Sequence, residues 1–301
     1  MSFNSDIFEH ELKKRKQYIE ACLEGYLGGE PANPPVIHQA MNYAVMNGGK
    51  RLRPIMVLSA AQIAGAKPEH VIPAACAIEM IHSYSLVHDD LPAMDNDDFR
   101  RGKPTCHRVF GEAHAILTGD ALLTAAFEVM ASNAEIEGIE LPDVLRVIKE
   151  VAHAVGSQGM IGGQVLDLAG DSDKLTPSDL TLLHNLKTGE LFKASLRAGA
   201  ILSKLGEEGL AALTQFALYF GLAFQITDDI LDVSGDQSVL GKPIGSDKRN
   251  VRTTYTSLFG LAGAREKAQQ NVEACLESLT IFSSEADFLR DLARFTLCRT
   301  S

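Results

Sequence analysis

The chain has 301 residues, 46% of them hydrophobic and 22% charged, with a formal net charge of −11. That content suits a folded core, and the acidic balance argues against nucleic acid, whose binding rests on neutralising phosphates. No apolar run reaches the roughly 18 residues of a membrane span.

No Pro/Gly/Ser-rich linker or charge block divides the sequence, so one domain over 1–301 is expected. The start carries no basic stretch followed by an apolar one, and five scattered cysteines lack C-x-x-C spacing. Both features lead to the expectation of a cytoplasmic protein with reduced thiols. Alternating strand patterns are nearly absent, whereas apolar residues recur at three and four spacing. Helices are expected at roughly 4–26, 35–47, 51–64, 70–90, 112–132, 141–157, 177–204, 207–232, 261–281 and 285–298. Thr176-Pro177-Ser178-Asp179 is a helix start, with a capping hydroxyl, proline in the first turn and an acid after it. The architecture is expected to be all-α.

Two acidic clusters interrupt these apolar helices. Asp89-Asp90-Leu91-Pro92-Ala93-Met94-Asp95 and Asp228-Asp229-Ile230-Leu231-Asp232 lie 139 residues apart (228 − 89). Burying ionised carboxylates without compensation costs several kcal/mol, so the clusters call for a cation. Oxygen-only donors without His or Cys suit Mg²⁺, which takes one or two carboxylates together with substrate phosphates. Pro92 and Gly235 act as helix stops and place both clusters at helix C-termini, where the macrodipole adds negative potential. Asp228 and Asp232 share a face at i and i+4, with Asp228 the first choice as ligand.

The basic residues gather near these landmarks, in Lys50-Arg51-Leu52-Arg53, Arg100-Arg101-Gly102-Lys103 and Lys242 through Arg252. In an acidic chain this arrangement points to a small polyanion, and a diphosphate is an anion that also chelates metal. Lys50 and Arg53, three apart at a helix start, would face the same way, and Gly48-Gly49 would allow close backbone approach to the anion. Neither a P-loop nor a dinucleotide-binding glycine pattern occurs, and no Ser-His-Asp arrangement can be argued. Of the aromatics on the long helices, Tyr84, Phe110, Phe127, Phe192, Phe216, Phe220 and Phe224, most belong to an ordinary core, and a minority would line a hydrocarbon pocket.

The blocks Gly48-Gly49-Lys50-Arg51-Leu52-Arg53-Pro54, His82 through His88, Arg100-Arg101-Gly102-Lys103-Pro104-Thr105, Gly162-Gly163-Gln164-Val165-Leu166-Asp167, Lys187-Thr188-Gly189, Phe224 through Asp232 and Gly241-Lys242 follow one another in order. Together they resemble the short-chain trans-prenyl diphosphate synthases, of the bacterial farnesyl diphosphate synthase type. The resemblance implies a bundle of about ten or more helices around a deep central cavity, working as a homodimer. It implies an allylic diphosphate, dimethylallyl or geranyl, held through about three Mg²⁺ ions on Asp89, Asp95 and Asp228, with Asp90 and Asp232 as further acidic candidates. Arg100, Lys187, Thr188, Gln225 and Lys242 would surround that diphosphate, with Arg100, Lys187 and Lys242 assisting its departure. Isopentenyl diphosphate would be held by Lys50, Arg53, His82 and Arg101. Without the resemblance, His82 reads as a satisfied core histidine.

The two extra residues Pro92-Ala93 and Tyr84, five before Asp89, accompany a C15 product in that family, with the ring as the floor of the cavity. Projection along an α-helix puts Tyr84 about 140° from Asp89, which leaves its direction open. Alternatives are a geranyl or geranylgeranyl diphosphate synthase, a terpene cyclase of the same fold, or a non-catalytic subunit of a prenyl synthase. The end Leu297-Cys298-Arg299-Thr300-Ser301 offers only Arg299 where relatives carry several bases.

Overall fold

A computed structural model describes residues 3–28, 33–169, 175–234 and 253–299. The helices among them are α1 Ser5–Leu27, α2 Pro35–Met46, α3 Leu52–Ile63, α4 Ile72–Asp89, α5 Cys106–Phe110, α6 Glu112–Ala131, α7 Leu141–Val155, α8 Met160–Leu168, α9 Pro177–His184, α10 Glu190–Leu202, α11 Glu207–Ser234, α12 Tyr255–Ser278 and α13 Asp287–Cys298. The only paired strands among the described residues are β1 Phe99–Arg100 and β2 Lys103–Pro104. The all-α expectation holds.

Local chemistry sets the boundaries. Asn4 caps α1 through its side chain, and capping boxes at Thr176 with Asp179 and at Thr254 with Ser257 open α9 and α12. Gly260, at φ 69°, breaks the helical path inside α12, which explains why the periodic pattern begins only at 261. Gly235 falls outside the described residues, so its role as a stop is not seen.

Helices α3, α4 and α10 are apolar nearly all round because they are nearly all buried. Helix α4 packs between α3 and α6, and α10 packs against α3, α7 and α11. The outer face of α11 is covered by α12. Helices α6 and α11 are long and apolar enough to cross a membrane by length and composition alone. The apolar content of α11 goes into the core, where Phe216, Phe220 and Ile226 are fully buried.

Helix α8 and the 177–204 segment depart from the expected helices. Helix α8 carries apolar residues outward as well as inward, and Ile161, Val165, Leu166 and Leu168 are exposed, which removes the stripe that periodicity detects. The expected helix over 177–204 is also not continuous, because Asn185–Gly189 forms a π-helical turn between α9 and α10. Such turns cost regular hydrogen bonding and often lie at functional sites. This one is gripped on both sides. A Cβ on Gly163 of α8 would overlap the Lys187 backbone, and one on Gly221 of α11 would lie 2.9 Å from Gly189 Cα.

Candidate active site

The first acidic cluster is shaped by the break after α4. Helix α4 ends at Asp89, and the chain turns through Pro92-Ala93 until the Asp95 N–H donates to Asp89 O at 2.9 Å, while Asn96 N donates to Leu91 O at 3.1 Å. The two extra residues thus return Asp95 beside Asp89. Burial raises the Asp89 carboxyl above its ordinary value; Lys187 opposes the shift, and Asp95 and Asp167 add to it.

Asp90 points elsewhere. It is 3% exposed and paired to Arg100, with Nε at 2.7 and 3.0 Å and Nη2 at 2.5 Å. Arg100 reaches it from the hairpin β1–β2, whose turn residues Arg101 and Gly102 have φ of 56° and 75°, the signature of a tight two-residue turn. The hairpin sends Arg101 in another direction, to the carbonyl of Gly48.

The π turn joins the two clusters. Lys187 Nζ lies 2.6 Å from Asp167 Oδ2 and 3.8 Å from Asp89 Oδ2, and Gln164 also donates to Asp89. The next residue, Thr188, donates to Gln225 Oε1 at 3.3 Å, and Gln225 donates to Asp229 Oδ1 at 3.4 Å. A polar relay therefore runs from Asp89 on α4 across the turn to α11.

Within the second cluster the three aspartates divide. Asp229 is buried and accepts the Tyr255 N–H at 2.8 Å, tying α11 to the start of α12. His184, stacked on Tyr255, lies 4.0 Å from the same carboxylate; burial lowers its pKa to about 4. Asp232 is 5% exposed. Asp228 keeps 41% of its side chain exposed and takes Arg299 Nη2 at 2.7 Å.

Beside the clusters lies a group of desolvated cations. Burial lowers Lys50 to about 8, with the charge of Arg299 adding to the effect and Asp228 opposing it. Burial lowers Arg53 to about 10; its Nε has no hydrogen-bond partner, and its guanidinium lies 4.5 Å above the Phe192 ring. His82 is held well below its ordinary value by burial, with Arg53 and Arg101 nearby, so it is neutral. Lys50, Arg53, Arg101 and His82 lie close enough to depress one another, with Glu79 and Asp228 opposing the shift only in part, and together they make a seat for an anion.

The expected geometry of Lys50 changes. Helix α3 starts at Leu52, and Lys50 precedes it on a loop in which Gly48, Gly49 and Arg51 have φ of 89°, 120° and 55°. Lys50 and Arg53 are therefore not successive turns of one helix. Gly49 also serves a different neighbour, since a Cβ there would lie 2.6 Å from the Arg101 guanidinium. Arg51 is a structural residue: fully buried, it pairs with Glu79 at 2.7 Å and donates to Val45 O at 2.7 Å.

Most of the aromatics form core. Phe192, Phe216 and Phe220 are fully buried and form one cluster with Phe224, which meets Phe192 edge to face and Phe220 at a tilt. Tyr84 is 5% exposed, meets His88 edge to face at 5.8 Å, and leaves its hydroxyl without a partner. The His88 ring in turn contacts Ile116 O of α6 at 3.0 Å, so His88 links Tyr84 to α6.

Lys242 lies outside the described residues. Gln164 and Asp167, which the sequence places only in a supporting block, contact Asp89 and Lys187 directly; an amide and an acid on an otherwise apolar short helix were the available signal. Among the described residues no three acidic, histidine or cysteine side chains converge tightly enough to hold a metal by themselves. Exposed oxygens on Asp228 and crowded ones on Asp89 and Asp95 instead fit a cation that shares its shell with water and phosphate, as Mg²⁺ does.

The polyprenyl synthetase family model matches residues 34–289. The chain belongs to the polyprenyl synthetase family. It is 46% identical over 90% of its length to the farnesyl diphosphate synthase of Geobacillus stearothermophilus, covering 91% of that protein. It is 41% identical to the geranylgeranyl diphosphate synthase of Cyanophora paradoxa, covering 96% of each. A crystal structure of an FPP/GFPP synthase from Zymomonas mobilis superposes with a TM-score of 0.86 at 38% identity, over 98% of this chain and 100% of that one. The all-α architecture is thus the isoprenoid synthase fold, and the chain is a prenyl-transferring enzyme.

Proposed function

We propose that the protein, as a single polyprenyl synthetase domain, is a Mg²⁺-dependent farnesyl diphosphate synthase that adds isopentenyl diphosphate to dimethylallyl and then geranyl diphosphate. The observation that carries this reading is the polar relay from Asp89 through Lys187 and Thr188 to Gln225, flanked by the desolvated cations Lys50, Arg53 and Arg101. One diphosphate fits the acidic side through metal, and a second fits the basic side directly. Two diphosphates side by side are what head-to-tail prenyl condensation requires.

Asp89, Asp95 and Asp228 would hold Mg²⁺, which when bound neutralises the leaving diphosphate. Lys187 and Arg100 add positive charge next to the same oxygens, and Thr188 and Gln225 orient them. Such preorganised charge is worth several kcal/mol as the allylic C–O bond breaks. Lys50, Arg53 and Arg101 fix the isopentenyl diphosphate so that its double bond attacks the allylic carbon. Neutral His82 donates or accepts a hydrogen bond there without adding repulsion. The proton lost from the new C–C unit passes to the released diphosphate, and no protein nucleophile is needed. Asp90 and Asp232, both buried, support this shell from behind.

Tyr84, buried on α4 against His88, would favour a C15 product by capping the space into which the chain grows. Helices α5 and α6 present exposed Val109, Ile116 and Leu117, a face suited to a second copy of the chain. All five cysteines are free, which suits a reducing compartment and a cytoplasmic enzyme.

Labelled isopentenyl diphosphate with each allylic primer in Mg²⁺ tests the reading. Farnesyl diphosphate from both primers is expected, and inactivity with both would sink the proposal. A geranylgeranyl product would retain the reaction and overturn the assignment of Tyr84.

A further inference from the structure

The reading above assigns Asp228 to a metal, yet the structure gives it a cation already. Arg299, the residue that caps α13, is 7% exposed. Its Nη2 donates to Asp228 Oδ1 at 2.7 Å and to Phe224 O at 2.7 Å, and its guanidinium lies 3.9 Å above the Phe224 ring. Both interactions with Phe224 hold the guanidinium over the last turns of α11, where the helix end adds negative potential.

The contact is close but incompletely satisfied. Arg299 Nε is buried with no hydrogen-bond partner, a desolvation cost that the Asp228 pair offsets. Removing Asp228 from reach would leave a buried, poorly partnered charge, which is unstable. Arg299 therefore has reason to move whenever another cation claims Asp228.

Its surroundings supply somewhere to go. Arg299 borders a cavity of about 490 Å³ between α1, the Gly49-Lys50 loop and α13, where Glu9 offers a carboxylate among Lys13, Lys16 and Lys50. Phe224, beneath Arg299, packs 5.5 Å from Phe192, beneath Arg53. The residue thus stands on one aromatic floor between the acidic side and the basic side, and its charge is felt at Lys50.

We propose that Arg299 is an internal stand-in for the metal at Asp228, so that docking of the α13 end and divalent-ion binding compete for one carboxylate. This inference rests on the assignment of Asp228 to metal in the proposed function. The guanidinium keeps Asp228 compensated before the metal arrives, and its release couples metal loading to loosening of the C-terminal end. Arg299 is a positioning residue; it takes no part in bond making.

Mn²⁺ binding in the presence of inorganic diphosphate, followed by the paramagnetic signal of the free ion, tests this on the full chain. Arg299→Gln should bind Mn²⁺ at least about threefold more tightly than the unaltered protein, and should melt at a lower temperature in chelator. Hydrogen exchange of unaltered α13 should rise near its C-terminus when Mn²⁺ and diphosphate are added, and this rise should vanish in Asp228→Asn. Equal or weaker Mn²⁺ affinity in a folded Arg299→Gln, or exchange in α13 that ignores metal, would overturn the competition and leave Arg299 as an anchor only. Absence of saturable Mn²⁺ binding in either protein would overturn the metal reading and this inference with it.

Discussion

Lys187 and Asp167 face each other at 2.6 Å, with Asp89 a further 3.8 Å from the same ammonium. The lysine comes from a π turn and the aspartate from α8, so the pair locks the irregular backbone to its neighbour and aims the charge at the first acidic cluster. Lys187→Ala should lower kcat by about 10²–10³. Asp167→Asn keeps the lysine but frees it, and should lower kcat by about tenfold while KM for isopentenyl diphosphate stays constant. Steady-state kinetics separates these cases; an equal rise in that KM would mean that Asp167 serves the other substrate.

Lys50 gives the enzyme an alkaline limit. Burial and Arg299 lower its pKa to about 8, so the charged form that grips an anion is fully present below that pH and is lost above it. The pH profile of kcat/KM for isopentenyl diphosphate should fall above about 8. Lys50→Arg, which does not titrate in that range, should remove the limb. Persistence of the same limb in the arginine variant would assign it to another group.

Tyr84 separates packing from product length. Its buried hydroxyl has no partner and its pKa is raised to about 12, so Tyr84→Phe should leave stability within about 1 kcal/mol, or improve it, and keep the C15 product. Tyr84→Ala should cost about 3–5 kcal/mol and lengthen the product. Chromatography of the dephosphorylated alcohols checks this, and a C15 product from a folded alanine variant would remove Tyr84 from the floor.

Arg51 makes the opposite contrast with its motif neighbours. Its ion pair with Glu79 is fully buried, and removing one partner strands the other. Arg51→Ala should lose about 3–5 kcal/mol of unfolding free energy by denaturant titration. Arg53→Ala should lose anion affinity with a much smaller change in stability. A reversal of these two outcomes would mean that the roles in the motif are exchanged.

The fold was legible because its long helices are either amphipathic or bounded by strong signals, as at Thr176-Pro177 and after Asp89. Helix α8 escaped because its outer face is apolar, and the hairpin escaped because two-residue strands have no period. The acidic clusters could be read as a pair since buried carboxylates are rare, but their internal division could not. Asp89 and Asp90 are adjacent in sequence, yet Lys187 and Gln164 meet one while Arg100 takes the other, and only tertiary packing decides which. Lys50 and Arg53 were spaced like helical neighbours, but positive φ at Gly48, Gly49 and Arg51 delays the helix until Leu52. The π turn at Lys187 is likewise set by close approach at Gly163 and Gly221, a relation between three separate segments.

In the proposed function the two acidic clusters act as one site across the Lys187-Thr188 turn. Calorimetric titration of inorganic diphosphate in Mg²⁺ addresses it most directly. Asp89→Asn and Asp228→Asn should each weaken Mg²⁺-dependent binding at least about 100-fold, and the double variant should be little worse than either. Full affinity after loss of either carboxylate, or losses that simply add, would contradict a single composite site.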